Sequence, residues 1–291
     1  MKVSGFTFVR NGTLLGYPFI ESIRSVLPIC DEFVVAVARG DDDTPERLRA
    51  LAREEPKLRT IETQWNESMT DRGYVYAQQK MIAQFNCAGD WAFYLEGDEV
   101  VHESDLPAIR AAMERHADNP GVEALVFDYY HFFGGSEWIA VSPGWYRRAP
   151  RIIRNSIRNY SPDGLFFVVM DHNKRGRYPY AALAGAHIYH YGHARRQDRM
   201  REKIQRVSRY WGHAPPAFNS YTIDPQALRC FEGTHPAIMR DWLAREVETS
   251  FVPDPGHSPT RRERKHRWLM SLERAFGWEL SKRHYRIVKG A

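Results

Sequence analysis

From Val3 to Tyr130 the chain alternates short, continuous apolar runs with amphipathic stretches of helical period, the pattern of a mostly parallel sheet covered by helices on both faces. Val3 to Val9 reads as a first strand. Leu14 to Leu27 follows as a helix, with Phe19, Ile20, Ile23, Val26 and Leu27 at helical spacing and Pro28 closing it. Phe33 to Ala38 is a strand buried on both faces, and Thr44-Pro45 offers an N-cap and an N1 proline for a helix reaching about Glu55. Leu58 to Thr63 is a third strand and Tyr74 to Phe85 a helix. Trp91 to Leu95 is a fourth strand, which delivers Glu96-Gly97-Asp98-Glu99 into the turn beyond its end. Glu103 to Ala117 and Val122 to Tyr130 supply one more helix and strand.

The alternation then breaks down. Phe132 to Tyr191 holds short strand candidates (Arg151 to Arg154, Leu165 to Met170, Ala186 to Tyr191) among Gly, Pro, Trp and Tyr. Arg195 to Trp211 reads as a basic helix, Pro225 to Glu248 as two short helices split by Gly233, and Pro253 to Pro259 as a linker. The expected architecture is an α/β, Rossmann-like domain over residues 1–193 with a basic helical C-terminal extension over 194–291. No internal repeat points to a solenoid.

Composition narrows the class. With 43% apolar and 26% charged residues the chain is an ordinary globular one, and no apolar run approaches the roughly 20 residues of a membrane span. Met1 to Phe8 runs straight into a strand pattern without a leader's cleavage region, so a cytoplasmic location is expected. Cys30, Cys87 and Cys230 are far apart among apolar neighbours and read as buried thiols rather than bridges. The net charge of +5 is unevenly placed: Ser258 to Ala291 carries ten Lys/Arg against three Asp/Glu, +7, leaving −2 elsewhere. Such a tail suits peripheral contact with an anionic inner membrane surface, or serves as a solvated helix face.

Carboxylates on a turn beyond a strand end, with Gly97 permitting the bend, have the chemistry to hold a divalent cation; an acidic surface turn has the same composition. Its place after the fourth strand of an α/β half is where ligands gather in open sheets. Five stretches, Phe8 to Gly12, Asp31 to Val35, Gly40 to Thr44, Ala77-Gln78-Gln79, and Gly89-Asp90-Trp91 through Glu99, resemble family 2 glycosyltransferases of the GT-A fold, of the bacterial surface-glycan type. The resemblance runs from Val3 to about Tyr191. It implies an inverting transferase moving a sugar from a nucleotide-diphospho-sugar, with a UDP-sugar the expected donor, to a hydroxyl of a glycan or glycolipid acceptor, with Mg²⁺ or Mn²⁺ on the diphosphate. It places Phe8, Arg10, Asn11, Asp43 and Gln79 in the nucleotide pocket and Asp98 on the metal. Glu96, standing where the first Asp of an Asp-x-Asp motif would be, acts through water or on the ribose, and Glu99 orients water or acceptor. The chain departs from the pattern after the second strand: Ala38-Arg39 replaces an Asp-Asp pair, and Asp41, Asp42 and Asp43 come later.

An inverting transfer needs a carboxylate base. Asp163, in a turn resembling an acidic loop of a bacterial subgroup, is the first candidate and Glu137 the second; both also fit plain turn chemistry. His187, His190 and His193 are spaced by three, so on a strand they cannot converge as a zinc site without a bend. By the resemblance His190 completes the metal shell; otherwise it is a core histidine. Trp138, Trp145 and Tyr146 with Arg147, Arg148, Arg151 and Arg154 suit an acceptor cleft or a solvated edge. Two other readings stay open: a non-catalytic nucleotide-sugar binder of the same fold, and a nucleic-acid binder using Arg195 to Arg209 and the tail, although nucleic acid is not the expected partner.

Overall fold

A computed structural model describes residues 1–248, 251–288 and 290. The chain opens with β1 (Val3–Val9), α1 (Phe19–Val26), β2 (Glu32–Ala38), α2 (Thr44–Glu54), β3 (Leu58–Thr63), α3 (Tyr74–Phe85) and β4 (Trp91–Tyr94). These strands pair parallel in the order β3-β2-β1-β4. β1, β2 and β4 are buried along almost their whole length, which is why they read as unbroken apolar runs: a strand covered on both faces has no polar side. The helix expected from Leu14 begins only at Phe19. Asn11 and Gly16 take left-handed φ values of 54° and 62°, and Pro18 stands immediately before the first helical turn.

Next come β5 (Glu99–Val101), α4 (Leu106–Arg115), β6 (Ala124–Phe133), β7 (Trp138–Ala140) and β8 (Arg148–Arg154). β8 lies antiparallel between β4 and β6, so the sheet is parallel across its N-terminal half and mixed beyond it. β9 (Asn159–Tyr160), β10 (Val168–Met170) and β11 (Gly176–Arg177) form a small separate sheet. β12 (Tyr180–His193) is longer than its Ala186-to-Tyr191 forecast; it runs parallel to β6 and antiparallel to β5.

The remaining elements are α5 (Gln197–Ser208), β13 (Leu228–Cys230), α6 (Arg240–Glu246), α7 (Arg261–Phe276) and β14 (Arg286–Ile287). The C-terminal part is thus not helical alone, because β13 joins β7 and β14 joins β12 at sheet edges. Positions 249, 250, 289 and 291 of the expected extension lie outside the described residues. Among the described residues no helix is long and apolar enough to cross a membrane.

Two features of this topology bring distant residues together. The strand order reverses between β1 and β4, and such a reversal opens a crevice outside the carboxyl ends of the strands. In addition, β12 pairs His190 with Glu99 on β5 and with His131 on β6, so residues far apart in sequence share one cross-strand row.

Candidate functional site

A cleft of about 590 Å³ opens at the β1/β4 reversal. β1 and its end supply Phe8, Arg10 and Asn11; the turn after β4 supplies Glu96, Gly97 and Asp98; the loops after β2 and β3 supply Asp41, Trp65 and Glu67. Lys203 and Arg206 of α5 and the following turn, Arg209 to Trp211, close the opposite wall. Gly40 is required by close approach: a Cβ there would overlap the Asn11 side-chain oxygen, which accepts the Asp41 N–H at 2.7 Å and holds that acid toward the cleft.

Glu96, Asp98 and His190 each present one ligand atom, and these atoms lie within 4.8 Å of one another. The other polar atom of each is already engaged. Arg151 donates to Glu96 Oε1 at 2.7 Å, while Lys203 Nζ and Arg195 donate to Asp98 Oδ2 at 3.0 and 3.1 Å. Burial raises the Asp98 carboxyl, but Lys203, His190 and Arg195 outweigh it and hold the group well below the usual carboxylate range. Glu96 is pushed up to about 8 by burial and then by neighbouring Glu99, with Arg151 opposing.

The histidine tautomers follow from the hydrogen bonds. His131 Nε2 lies 2.7 Å from the Tyr146 carbonyl oxygen, which only accepts, so Nε2 carries the proton and Nδ1 accepts. His190 Nδ1, 2.8 Å from His131 Nδ1, is then the donor, and His190 Nε2 is left with a lone pair. Both rings stay neutral: burial lowers His131 to about 3 and His190 to about 4, and Asp98 only partly offsets the latter. The bare Nε2 faces Asp98 Oδ1 at 3.7 Å. Two acceptors facing each other repel unless a cation or a donor lies between them, and an imidazole oriented through its other nitrogen is how metal-ligating histidines are held. The donor set therefore fits a divalent cation.

Beside the triad the cleft has an aromatic floor. Trp65 meets Tyr76 and Tyr210 edge-on at 5.3 and 5.2 Å, Phe8 lies 5.9 Å from Tyr76, and the Arg10 guanidinium sits 5.2 Å over Trp65. Glu67 ties this corner together, accepting from the Tyr210 hydroxyl at 2.9 Å and pairing with Arg10 and Arg209. Arg206 pairs with Asp41.

Of the residues expected from the sequence, Phe8, Arg10, Asn11, Glu96, Asp98 and His190 line the cleft. Asp163 is half-buried beside its lining residues Gly164 and Leu165, with Oδ1 accepting the Leu165 N–H at 2.9 Å. Four expectations do not carry over. Glu99 is fully buried and saturated: Arg151 binds both its oxygens at 2.6 and 2.7 Å, Tyr129 donates to it at 2.8 Å, and the Glu96 N–H at 3.0 Å. It holds the acidic turn and has no atom left for water or acceptor. Glu137 is exposed on the turn between β6 and β7, away from the cleft. Asp43 is exposed outside the lining, where Asp41 takes the cleft position and Asp42 caps the turn through Leu14 and Thr44. Gln79 is buried, accepting from Thr63 at 2.6 Å rather than facing a nucleotide.

Trp145 lines a smaller cavity with Phe133, Asp224 and Arg267, but none of the arginines expected beside it does, because they are engaged in the body of the protein. Arg147 binds Glu273, Arg148 binds Asp128, Arg151 binds Glu96 and Glu99, and Arg154 caps the carbonyls of His116, Ala117, Asn119 and Val122. His187 stacks on Tyr130 at 4.6 Å, and His193 packs against Trp145, so the three histidines do not converge. His131, Lys203, Trp65 and Tyr76 belong to the site without standing in any motif of the sequence.

No protein-family model and no curated protein matches the chain. Among solved structures, TarS 1-349 of S. aureus aligns at 15% identity and a TM-score of 0.37, over 54% of this chain and 48% of that one. The same protein in complex with UDP-GlcNAc gives 16% and 0.33. The mannosyltransferase PcManGT from Pyrobaculum calidifontis, in complex with GDP-Man and Mn²⁺, aligns at 16% and 0.35, over 53% and 44%. The chain spans about half the length of TarS 1-349 and less than half of PcManGT. These are distant structural likenesses and assign no activity.

Proposed function

We propose that the cleft binds a nucleotide-diphospho-sugar together with a divalent cation and transfers the sugar, with inversion, to a hydroxyl of a glycan acceptor, as in family 2 glycosyltransferases. One observation carries the reading: three oriented donor atoms, on Glu96, Asp98 and His190, converge in a cleft that also presents cations and aromatic rings. Aromatic Trp65, Tyr76 and Tyr210 offer π faces for a nucleobase, and Lys203 and Arg206 offer positive charge to a diphosphate. The imidazole in the donor set favours Mn²⁺ over Mg²⁺. When bound, such a cation neutralises charge growing on the departing nucleotide diphosphate. Asp98 and Glu96 would hold it, and His131 would keep the His190 lone pair turned toward it.

Asp163 is the proposed base, taking the proton from the acceptor hydroxyl as it attacks. The test is a thermal-shift screen of UDP, GDP, CMP and dTDP with and without Mn²⁺ or Mg²⁺. Metal-dependent stabilisation by one nucleotide names the donor class; no response to any of them sinks the reading. Asp163→Asn is expected to keep that stabilisation while lowering the transfer kcat by roughly 10²- to 10⁴-fold. An unchanged kcat would move the base elsewhere.

A further inference from the structure

The acidic residues of the C-terminal segment all turn toward the protein. Glu273 is buried on Arg147 at 2.5 Å, Glu263 closes a capping box with Thr260 and meets His257 at 3.1 Å, and Glu279 pairs with Arg148 and Arg283. The cations do not follow them. Arg261, Arg264, Lys265, Trp268, Leu272 and Ala275 recur every three or four residues and therefore share the outer face of α7. Among the described residues Arg261, Arg264 and Lys265 form no ion pair, although Arg264 donates to the Pro259 carbonyl. Trp268 is 62% exposed, and Phe276 and Trp278, stacked at 4.7 Å just beyond it, are 59% and 55% exposed.

The outer face of α7 thus carries cations toward its N-terminal half, large aromatic surface toward its C-terminal end, and no acid. None of these outward residues lines the cleft or the smaller cavity beneath α7. On such an exposed face the cations are placed to meet anionic headgroups and the aromatic rings to sit at headgroup depth. We infer that α7 with Phe276 and Trp278 is a docking face for an anionic lipid bilayer, a role independent of the chemistry in the cleft. Charge complementarity selects this occupant, since three unpaired cations on an outer helix face that carries no acid match a uniformly negative plane.

The experiment is co-sedimentation of the full chain with phosphatidylcholine vesicles with and without phosphatidylglycerol. Binding is expected only with phosphatidylglycerol and should fall as salt rises. The triple variant Arg261→Gln, Arg264→Gln, Lys265→Gln should weaken it by roughly 100-fold, about fivefold per cation. Trp268→Ser should weaken it by roughly tenfold. Both variants alter exposed positions, so an unchanged unfolding midpoint checks that the fold is intact. The inference is overturned by absence of binding to anionic vesicles at low salt, by equal binding of the triple variant, or by a dimer that Trp268→Ser dissolves in place of any vesicle binding.

Discussion

Replacing Asp98 with asparagine is expected to abolish the metal-dependent stabilisation by nucleotide diphosphate and to lower transfer by roughly 100-fold or more. Asp98 contributes both to the candidate metal triad and to the ion pairs that fix Lys203 and Arg195. Asparagine retains an acceptor oxygen for those donors while removing the negative charge that a dication requires. Alanine is the poorer probe: Arg195 is fully buried, and without Asp98 its guanidinium would face only the Leu15 and Tyr191 carbonyls. Both variants remove the counter-charge of Arg195, and leaving such a buried charge unpaired costs about 3–5 kcal/mol, less where asparagine keeps the hydrogen bond. The measurement is thermal unfolding of both variants with and without Mn²⁺ and the nucleotide identified for the wild type. A metal-dependent shift that survives in Asp98→Asn would remove the acidic turn from the site.

The second large effect is structural. Arg151→Leu is expected to destabilise the protein by about 3–5 kcal/mol, because it strands a fully buried carboxylate at Glu99 and frees Glu96. For a chain of this size that lowers the unfolding midpoint by about 10 °C. The guanidinium also lies 5.4 and 5.5 Å from the ring centroids of Tyr94 and Tyr129, so some packing is lost with the charge. The double variant Arg151→Leu, Glu99→Leu should recover part of the loss by removing both buried charges. If the double variant loses as much as the two singles added together, the pair is not coupled as the geometry requires.

The strand and helix alternation through β4 was legible because each element is marked locally, by an unbroken apolar run or by helical spacing. The acidic turn was legible for the same reason: it follows directly from Trp91 to Leu95. What could not be read were the long-range registers. Three histidines at equal spacing look alike along the chain, and only the pairing of β12 with β5 and β6 places His190 between Glu99 and His131. His131 itself lies in a run of tyrosines and phenylalanines that reads as core. The arginines from Arg147 to Arg154 looked free for a ligand because their partners, among them Glu99, Glu273 and the end of α4, are distant in sequence. Lys203 and Arg206 fall within the basic helix read from Arg195 to Trp211, but the sequence does not say that α5 lies over the strand ends.

The cation and acid pairs across the cleft change how charge moves when a ligand arrives. Lys203, Arg206 and Arg209 rest on Asp98, Asp41 and Glu67, acids that follow three different strands. The cleft therefore holds its own counterions. If a dication and a diphosphate bind here, Asp98 would be available to hold the metal while Lys203, Arg206 and Arg209 would be available to phosphate, so few ions would pass to or from solution. Affinity for the pair should then be nearly flat from low to physiological salt, in contrast to phosphate binding that releases a counterion atmosphere and weakens by orders of magnitude over the same range.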